Sequence, residues 1–257
     1  MNFSKGVLKN KLLNGDTCFG HWVFMPYPEI VNIIGKSGFD FIVIDMEHSY
    51  TSINQLPSLI DAAIINNMTP LVRIPTSNTT DILRSLDTGA YGIVVPHCDT
   101  KEQLSQIIED SKYFPDGMRG MAKSTKSGEY TNKKFKEYME FENKNLLNIV
   151  CLESKKSIDN LDQLTEVDGI DVFYIGIYDL SASLGLPGEV ENPEVLFQLE
   201  KMVKKINQKG KIVGTYTDTS EQAIRMKNLG VNFLTCQADG CLIRESYENL
   251  LLKIKHE

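Results

Sequence analysis

Eight short apolar runs punctuate this sequence, and the polar residues that end them are of types that do acid–base and metal chemistry. Ile44-Asp45-Met46-Glu47-His48 closes the second run, Arg73 lies in the third, and His97 follows Pro96 at the end of the fourth. Glu153-Ser154 ends the fifth and Tyr178-Asp179 the sixth; Thr217-Asp218 and Gln237-Ala238-Asp239 end the last two. No lysine is among them, which disfavours Schiff-base chemistry. Glu153 and Asp179 could hold a hard divalent cation, since two carboxylates with waters and substrate oxygens suit Mg²⁺ or Mn²⁺; they read equally as solvated loop carboxylates. Histidine's unperturbed pKa lies near neutrality, so His48 could serve as a general base, or be structural. Arg73 could grip a carboxylate bidentately, or close the mouth of the fold with a salt bridge. The first strand turn has no Gly-x-Gly signature, and no P-loop or G-x-S-x-G elbow occurs.

The runs that position these residues are Thr17–Phe24, Phe39–Asp45, Pro70–Ile74, Gly92–Pro96, Leu147–Leu152, Val172–Gly176, Lys211–Tyr216 and Phe233–Cys236. Their near-continuous apolar character suits parallel strands buried on both faces. Amphipathic stretches separate them: Leu56, Leu59, Ile60 and Ala63 have helical spacing, as do Ile82, Leu83 and Leu86, and Leu104, Ile107 and Ile108. Pro193 opens a helical pattern running through Ile206. Gly38, Gly89, Gly210 and Gly230 each precede a strand, as helix C-caps do. Eight strand–helix units predict an α/β protein, a (β/α)₈ TIM barrel, with a doubly wound open sheet as the competing arrangement. In a barrel the strand ends gather at one face, where the active site lies. Residues 115–145 break the rhythm, with glycines, charges and no strand pattern, longer than an ordinary connection.

The 257 residues fit a single barrel domain spanning 1–257. With 27 basic and 34 acidic residues the net charge is −7, which argues against nucleic-acid binding and against attraction to anionic lipid. No apolar run approaches the length needed to span a bilayer, and the first eleven residues lack a secretory apolar core. Five cysteines, an odd number without a C-x-x-C pair, indicate a reduced, cytoplasmic protein.

Taken in order, the strand-end segments resemble the HpcH/HpaI aldolases, the metal-dependent class II pyruvate aldolases, from about Gly20 to about Gly240. Asp45-Met46-Glu47-His48 is similar to the family's D-x-E-H, and Val72-Arg73 to its V-R. Asp87-Thr88-Gly89-Ala90 with Val95-Pro96 resembles the D-x-G-A and V-P stretch. Pro115–Gly120 resembles P-x-G-x-R-G, Leu152-Glu153-Ser154 the I-E-S segment, and Asp179–Gly185 D-L-S-x-S-x-G. The resemblance implies a carbon–carbon lyase that reversibly cleaves a 4-hydroxy-2-oxo or 2-keto-3-deoxy acid to pyruvate and an aldehyde through a metal-stabilised enolate. It implies that Glu153 and Asp179 ligate Mg²⁺, Mn²⁺ or Co²⁺, that His48 is the base, that Asp87 hydrogen-bonds His48, and that Arg73 binds pyruvate oxygens. Substrate would also meet Cys151, Gly176, Ile177, Tyr178 and Asp179. A C-terminal helix swapped between subunits and a homohexamer, a trimer of dimers, are implied as well; the sequence itself shows only that residues 242–254 have an apolar face to bury.

The chain departs from the family at several of these positions. Cys151 stands where glutamine is common, Ile177 where proline is usual, and His97 where an apolar residue is common. Residues 121–126, rich in lysine, fall where the acceptor aldehyde would bind; Lys123 and Lys126 there suit an anionic acceptor or a solvated loop. The same machinery could serve an oxaloacetate decarboxylase or an acyl-CoA ester lyase. A non-catalytic keto-acid-binding barrel is disfavoured because Asp45, His48, Arg73, Asp87, Glu153 and Asp179 are all present together.

Overall fold

Each apolar run becomes a strand, because β-branched residues fit a pleat buried on both faces. The computed structural model describes residues 5–128, 130 and 135–255. Its strands are β1 (Cys18–Val23), β2 (Phe41–Asp45), β3 (Thr69–Arg73), β4 (Gly92–Val95), β5 (Leu147–Leu152), β6 (Val172–Ile175), β7 (Ile212–Thr217) and β8 (Phe233–Ala238). All pair in parallel with their sequence neighbours, and β1 also pairs with β8, so the sheet closes into a barrel. Closure rules out the open doubly wound sheet. The eight strands fall within one or two residues of the eight runs.

Helices α1 (Val7–Leu13), α2 (Pro28–Lys36), α3 (Leu56–Ile65), α4 (Thr79–Asp87), α5 (Lys101–Ser111) and α6 (Phe135–Asn145) occupy the first half. The second half carries α7 (Lys155–Asp159), α8 (Leu161–Thr165), α9 (Ile177–Ser183), α10 (Pro193–Gln208), α11 (Ser220–Leu229) and α12 (Asp239–Lys255). Local sequence explains their ends. Asn192 caps α10 by accepting the Glu194 N–H at 3.0 Å, with Pro193 in the first turn. The stripe Val195, Leu199, Met202, Val203 and Ile206 is buried; each such side chain contributes about 1.5–3 kcal/mol before the entropy of ordering is charged against it. Gly38, Gly89, Gly210 and Gly230 all have positive φ at helix ends, where a side chain would be strained.

Two apolar layers result. One lies between strands and helices. The other fills the barrel with alternate residues, among them Trp22, Phe41, Val43, Leu71, Ile149, Cys151, Tyr174 and Phe233. Phe41 and Phe233 stack with ring centroids 4.1 Å apart. That stack requires Gly20, since a Cβ there would lie 2.1 Å from the Phe41 ring. Helix α1 covers the N-terminal face of the barrel with Leu8 and Leu12. Beside it, buried Lys5 pairs with Glu142 at 2.6 Å and Lys9 with Asp171 at 2.8 Å. The long excursion between α5 and β5 carries no strand among the described residues; part of it is α6. All five cysteines are free thiols. No helix among the described residues is long and apolar enough to cross a membrane.

Candidate active site

Strand alternation carries the interior pattern up to the mouth of the barrel. Phe41 and Val43 point inward, and two residues on so does Asp45. Leu71 leads to Arg73, and Ile149 and Cys151 lead to Glu153. Parallel register sets Asp45 of β2 directly beside Arg73 of β3. At this face a cavity of about 720 Å³ opens, lined by His48, Arg73, Cys151, Glu153, Gly176, Ile177, Tyr178 and Asp179 together with an aromatic wall that includes Trp22, Tyr174 and Tyr216.

A chain of charges crosses the mouth. Asp45 is fully buried and accepts the Arg73 Nε–H at 2.6 Å, the Glu47 N–H at 3.1 Å and the His48 N–H at 3.0 Å. This Asx-turn sets His48 at the cavity and Glu47 against Arg73. Arg73 Nη1 reaches Glu47 at 3.2 Å, and the guanidinium lies 4.2 Å from the Trp22 ring centre. Burial opposes its charge, but the Asp45 carboxylate outweighs burial and holds the Arg73 pKa above its usual value. Arg73 makes the salt bridge expected of a residue closing the mouth, and it also lines the cavity. The Trp22 indole N–H donates to Thr235 at 2.9 Å, which fixes the ring beneath the arginine.

Glu153 is 6% exposed. Burial pushes its carboxyl above the ordinary range; Asp179 and Glu47 push the same way, and His97 opposes them. Gly176 follows β6 against this carboxylate, and a Cβ at Gly176 would lie 2.8 Å from Glu153 Oε2. Ile177 and Tyr178 open α9, with Asp179 in its first turn. Cys151 is buried, and burial drives its thiol well above the usual pKa, so it faces the cavity as a neutral group. Tyr178 donates to Asp218 at 2.8 Å on the far rim.

The remaining expected residue is elsewhere. Asp87 ends α4, on the opposite face of the barrel from His48, because each helix runs back to the start of the next strand. There it accepts from Arg119 Nη2 at 2.8 Å. The chain therefore cannot pair Asp87 with its own His48. Residues 121–126 also sit away from the cavity: Lys126 pairs with Asp61 at 2.6 Å and donates to the Pro57 carbonyl, while the following Ser127 N–H reaches the Asp87 carbonyl at 3.2 Å. Sequence reasoning gave Glu47 and His97 no role, yet both are in the charge chain. Glu47 could have been found from its place between Asp45 and His48.

A barrel with clustered carboxylates, an arginine and a histidine at its strand ends has the site position and the residue types of an acid–base enzyme of this fold. The model of the HpcH/HpaI aldolase/citrate lyase family matches residues 19–244, and the chain belongs to that family. It is an enzyme, a carbon–carbon lyase of the aldolase type. It is 32% identical to a 2-keto-3-deoxy-L-rhamnonate aldolase of Klebsiella pneumoniae subsp. pneumoniae, covering 97% of this chain and 93% of that one. It is 30% identical to a hydroxypyruvate/pyruvate aldolase of Roseobacter denitrificans, covering 97% of each. Among solved structures, the citrate synthase SbnG superposes with a TM-score of 0.87 at 30% identity, again over 97% of both chains.

Proposed function

We propose that this protein cleaves a 4-hydroxy-2-oxo or 2-keto-3-deoxy acid to pyruvate and an aldehyde, using Glu153 and Asp179 to hold a divalent cation. The observation that carries the reading is the shared cavity of Glu153, Asp179, Arg73 and His48. The donor set fits a hard cation: oxygen ligands, one of them deeply buried, with a glycine leaving space against Glu153 Oε2. Asp45 and Glu47 pair with Arg73, and Glu153 feels both Glu47 and Asp179, an excess of negative charge that a dication would offset. Mg²⁺, Mn²⁺ or Co²⁺ there would supply Lewis-acid stabilisation of charge on substrate oxygens.

The chain's own groups account for the rest. Arg73, fixed by Asp45, Glu47 and Trp22, presents a preorganised cation to the keto acid's oxygens, where negative charge grows as the bond breaks. His48 lines the same cavity and would take the proton of the C4 hydroxyl. The C3–C4 bond then breaks, its electron pair passes to C3 as the pyruvate enolate, and the aldehyde leaves. His48 then returns that proton to C3, which completes pyruvate. Gly176, Ile177 and Tyr178 line the cavity beside Asp179, and neutral Cys151 adds no charge against the substrate. A condensation like that of the citrate synthase it resembles is the second reading, favoured by the 30% identity over nearly the whole chain.

Because the fold carries Asp87 away from its own His48, a dyad between them needs a second copy of the chain. Exposed apolar residues on α12, including Leu250, Leu251 and Ile254, support a homo-oligomer with a swapped C-terminal helix, a hexamer in our reading. Free cysteines throughout support a cytoplasmic setting. A panel of 2-keto-3-deoxy acids, assayed for pyruvate release with Mg²⁺, Mn²⁺ or Co²⁺, tests the function. We expect release that chelation abolishes and Glu153→Gln removes. Turnover that survives both would overturn the reading.

A further inference from the structure

His97 breaks the strand alternation that carries Asp45, Arg73 and Glu153 into the mouth of the barrel. On β4, Val94 faces inward, so the alternation continues to Pro96 and would turn His97 away from the barrel. Instead His97 has φ 56°, in the left-handed region that few non-glycine residues occupy. This turn folds the residue back over Glu153. Its backbone N–H donates to Glu153 Oε1 at 2.6 Å, and its ring Nδ1 lies 2.7 Å from the same oxygen. Ring Nε2 lies 3.2 Å from Glu47 Oε1, and Glu47 in turn holds Arg73. His97 thus grips one oxygen of Glu153 twice and leaves Oε2, the oxygen against Gly176, untouched. Through Glu47 it also links the carboxylate to Arg73.

We propose that His97 is a positioning residue that orients Glu153 for the divalent cation and couples it, through Glu47, to Arg73. This rests on the reading that Glu153 and Asp179 hold a cation. A carboxylate ligand free to rotate must be ordered when the ion arrives; one fixed beforehand does not pay that cost, and loss of such outer partners weakens metal binding about 10–100-fold.

The test measures Mn²⁺ affinity of the full-length, metal-free protein from the electron paramagnetic resonance signal of unbound Mn²⁺. His97→Gly keeps the left-handed backbone without strain and removes the ring. His97→Asn also tolerates that backbone, and its amide nitrogen occupies the place of Nδ1 while falling short of Glu47. His97→Ala adds backbone strain to loss of the ring. We expect Gly and Ala to weaken Mn²⁺ at least about tenfold, and Asn to stay within about threefold of the native protein. Mn²⁺ binding unchanged or tightened in Gly would overturn the proposal, as would Asn as weak as Gly. Glu153→Gln separates the two claims. If the native protein binds Mn²⁺ and Glu153→Gln loses it, only the role of His97 is at stake; if the native protein binds none, the cation reading and this inference fall together.

Discussion

At the scale of residues, the site is a row of charges whose geometry is set by one buried aspartate. Asp45 accepts three hydrogen bonds and so fixes Arg73, Glu47 and His48 at once. Lysine at position 73 would keep the charge but lose the planar fork and the stacking on Trp22. Arg73→Lys should therefore lower kcat/KM about 100-fold, ~2.7 kcal/mol of transition-state stabilisation, with native circular dichroism. Steady-state kinetics on the cleaved keto acid check this, and a change under threefold would remove Arg73 from the chemistry. Much of this row was legible beforehand. Strand-end position pointed to Arg73 and Glu153, whose inward parity continues past the last ladder hydrogen bond, and to His48 and Asp179, which line the same cavity but are set by the Asx-turn and by α9. His97 was not legible, because a left-handed φ reverses parity and nothing in Val95-Pro96-His97 announces it. Asp87 came from family resemblance alone; its place at a helix end puts it on the wrong face for its own chain.

At the scale of elements, the barrel places the site by register and by glycine. The Asp45–Arg73 pairing across β2 and β3 depends on a register fixed by Phe41 and Val43 facing the interior; a one-residue slip would turn all of them outward. Gly176 joins β6 to α9 where a side chain would meet the Glu153 carboxylate. Its φ of −79° is open to alanine, so Gly176→Ala strains no backbone and acts through contact alone. It should lower kcat/KM at least about tenfold, ~1.4 kcal/mol, while the urea midpoint barely moves. Paired kinetics and urea titration distinguish this from general destabilisation, which would shift both. The eight strands were readable because each is a nearly pure apolar run. Helix α6 was not: its sequence, Phe135–Asn145, is dominated by charge, and only Glu142 and Asn143 are buried along it. What holds it is tertiary, the Lys5–Glu142 pair and the Asn143 hydrogen bonds to the Tyr113 backbone, which local pattern cannot reveal.

At the scale of the whole molecule, the two ends of the barrel differ in kind. The C-terminal face holds the open cavity. The N-terminal face is plugged by α1 and stitched by Lys5, Lys9 and Arg119 to partners that are largely buried. Helix α12 leaves Tyr247, Leu250, Leu251, Leu252 and Ile254 at least half exposed, an apolar surface that monomers seldom present to water. Leu251→Asp should shift the species seen by light scattering toward smaller assemblies; a native protein already monomeric at assay concentration would contradict the oligomer. The most direct test of the central claim, enolisation of a keto acid at a cation held by Glu153 and Asp179, needs no knowledge of the aldehyde. It follows the methyl signal of pyruvate by proton NMR in D₂O. The account predicts exchange that requires Mg²⁺, stops with chelator, and is lost in Glu153→Gln and His48→Ala. A folded protein that exchanges no methyl protons with Mg²⁺, or with Mn²⁺ or Co²⁺ removed before detection, would contradict it, and so would exchange indifferent to both substitutions.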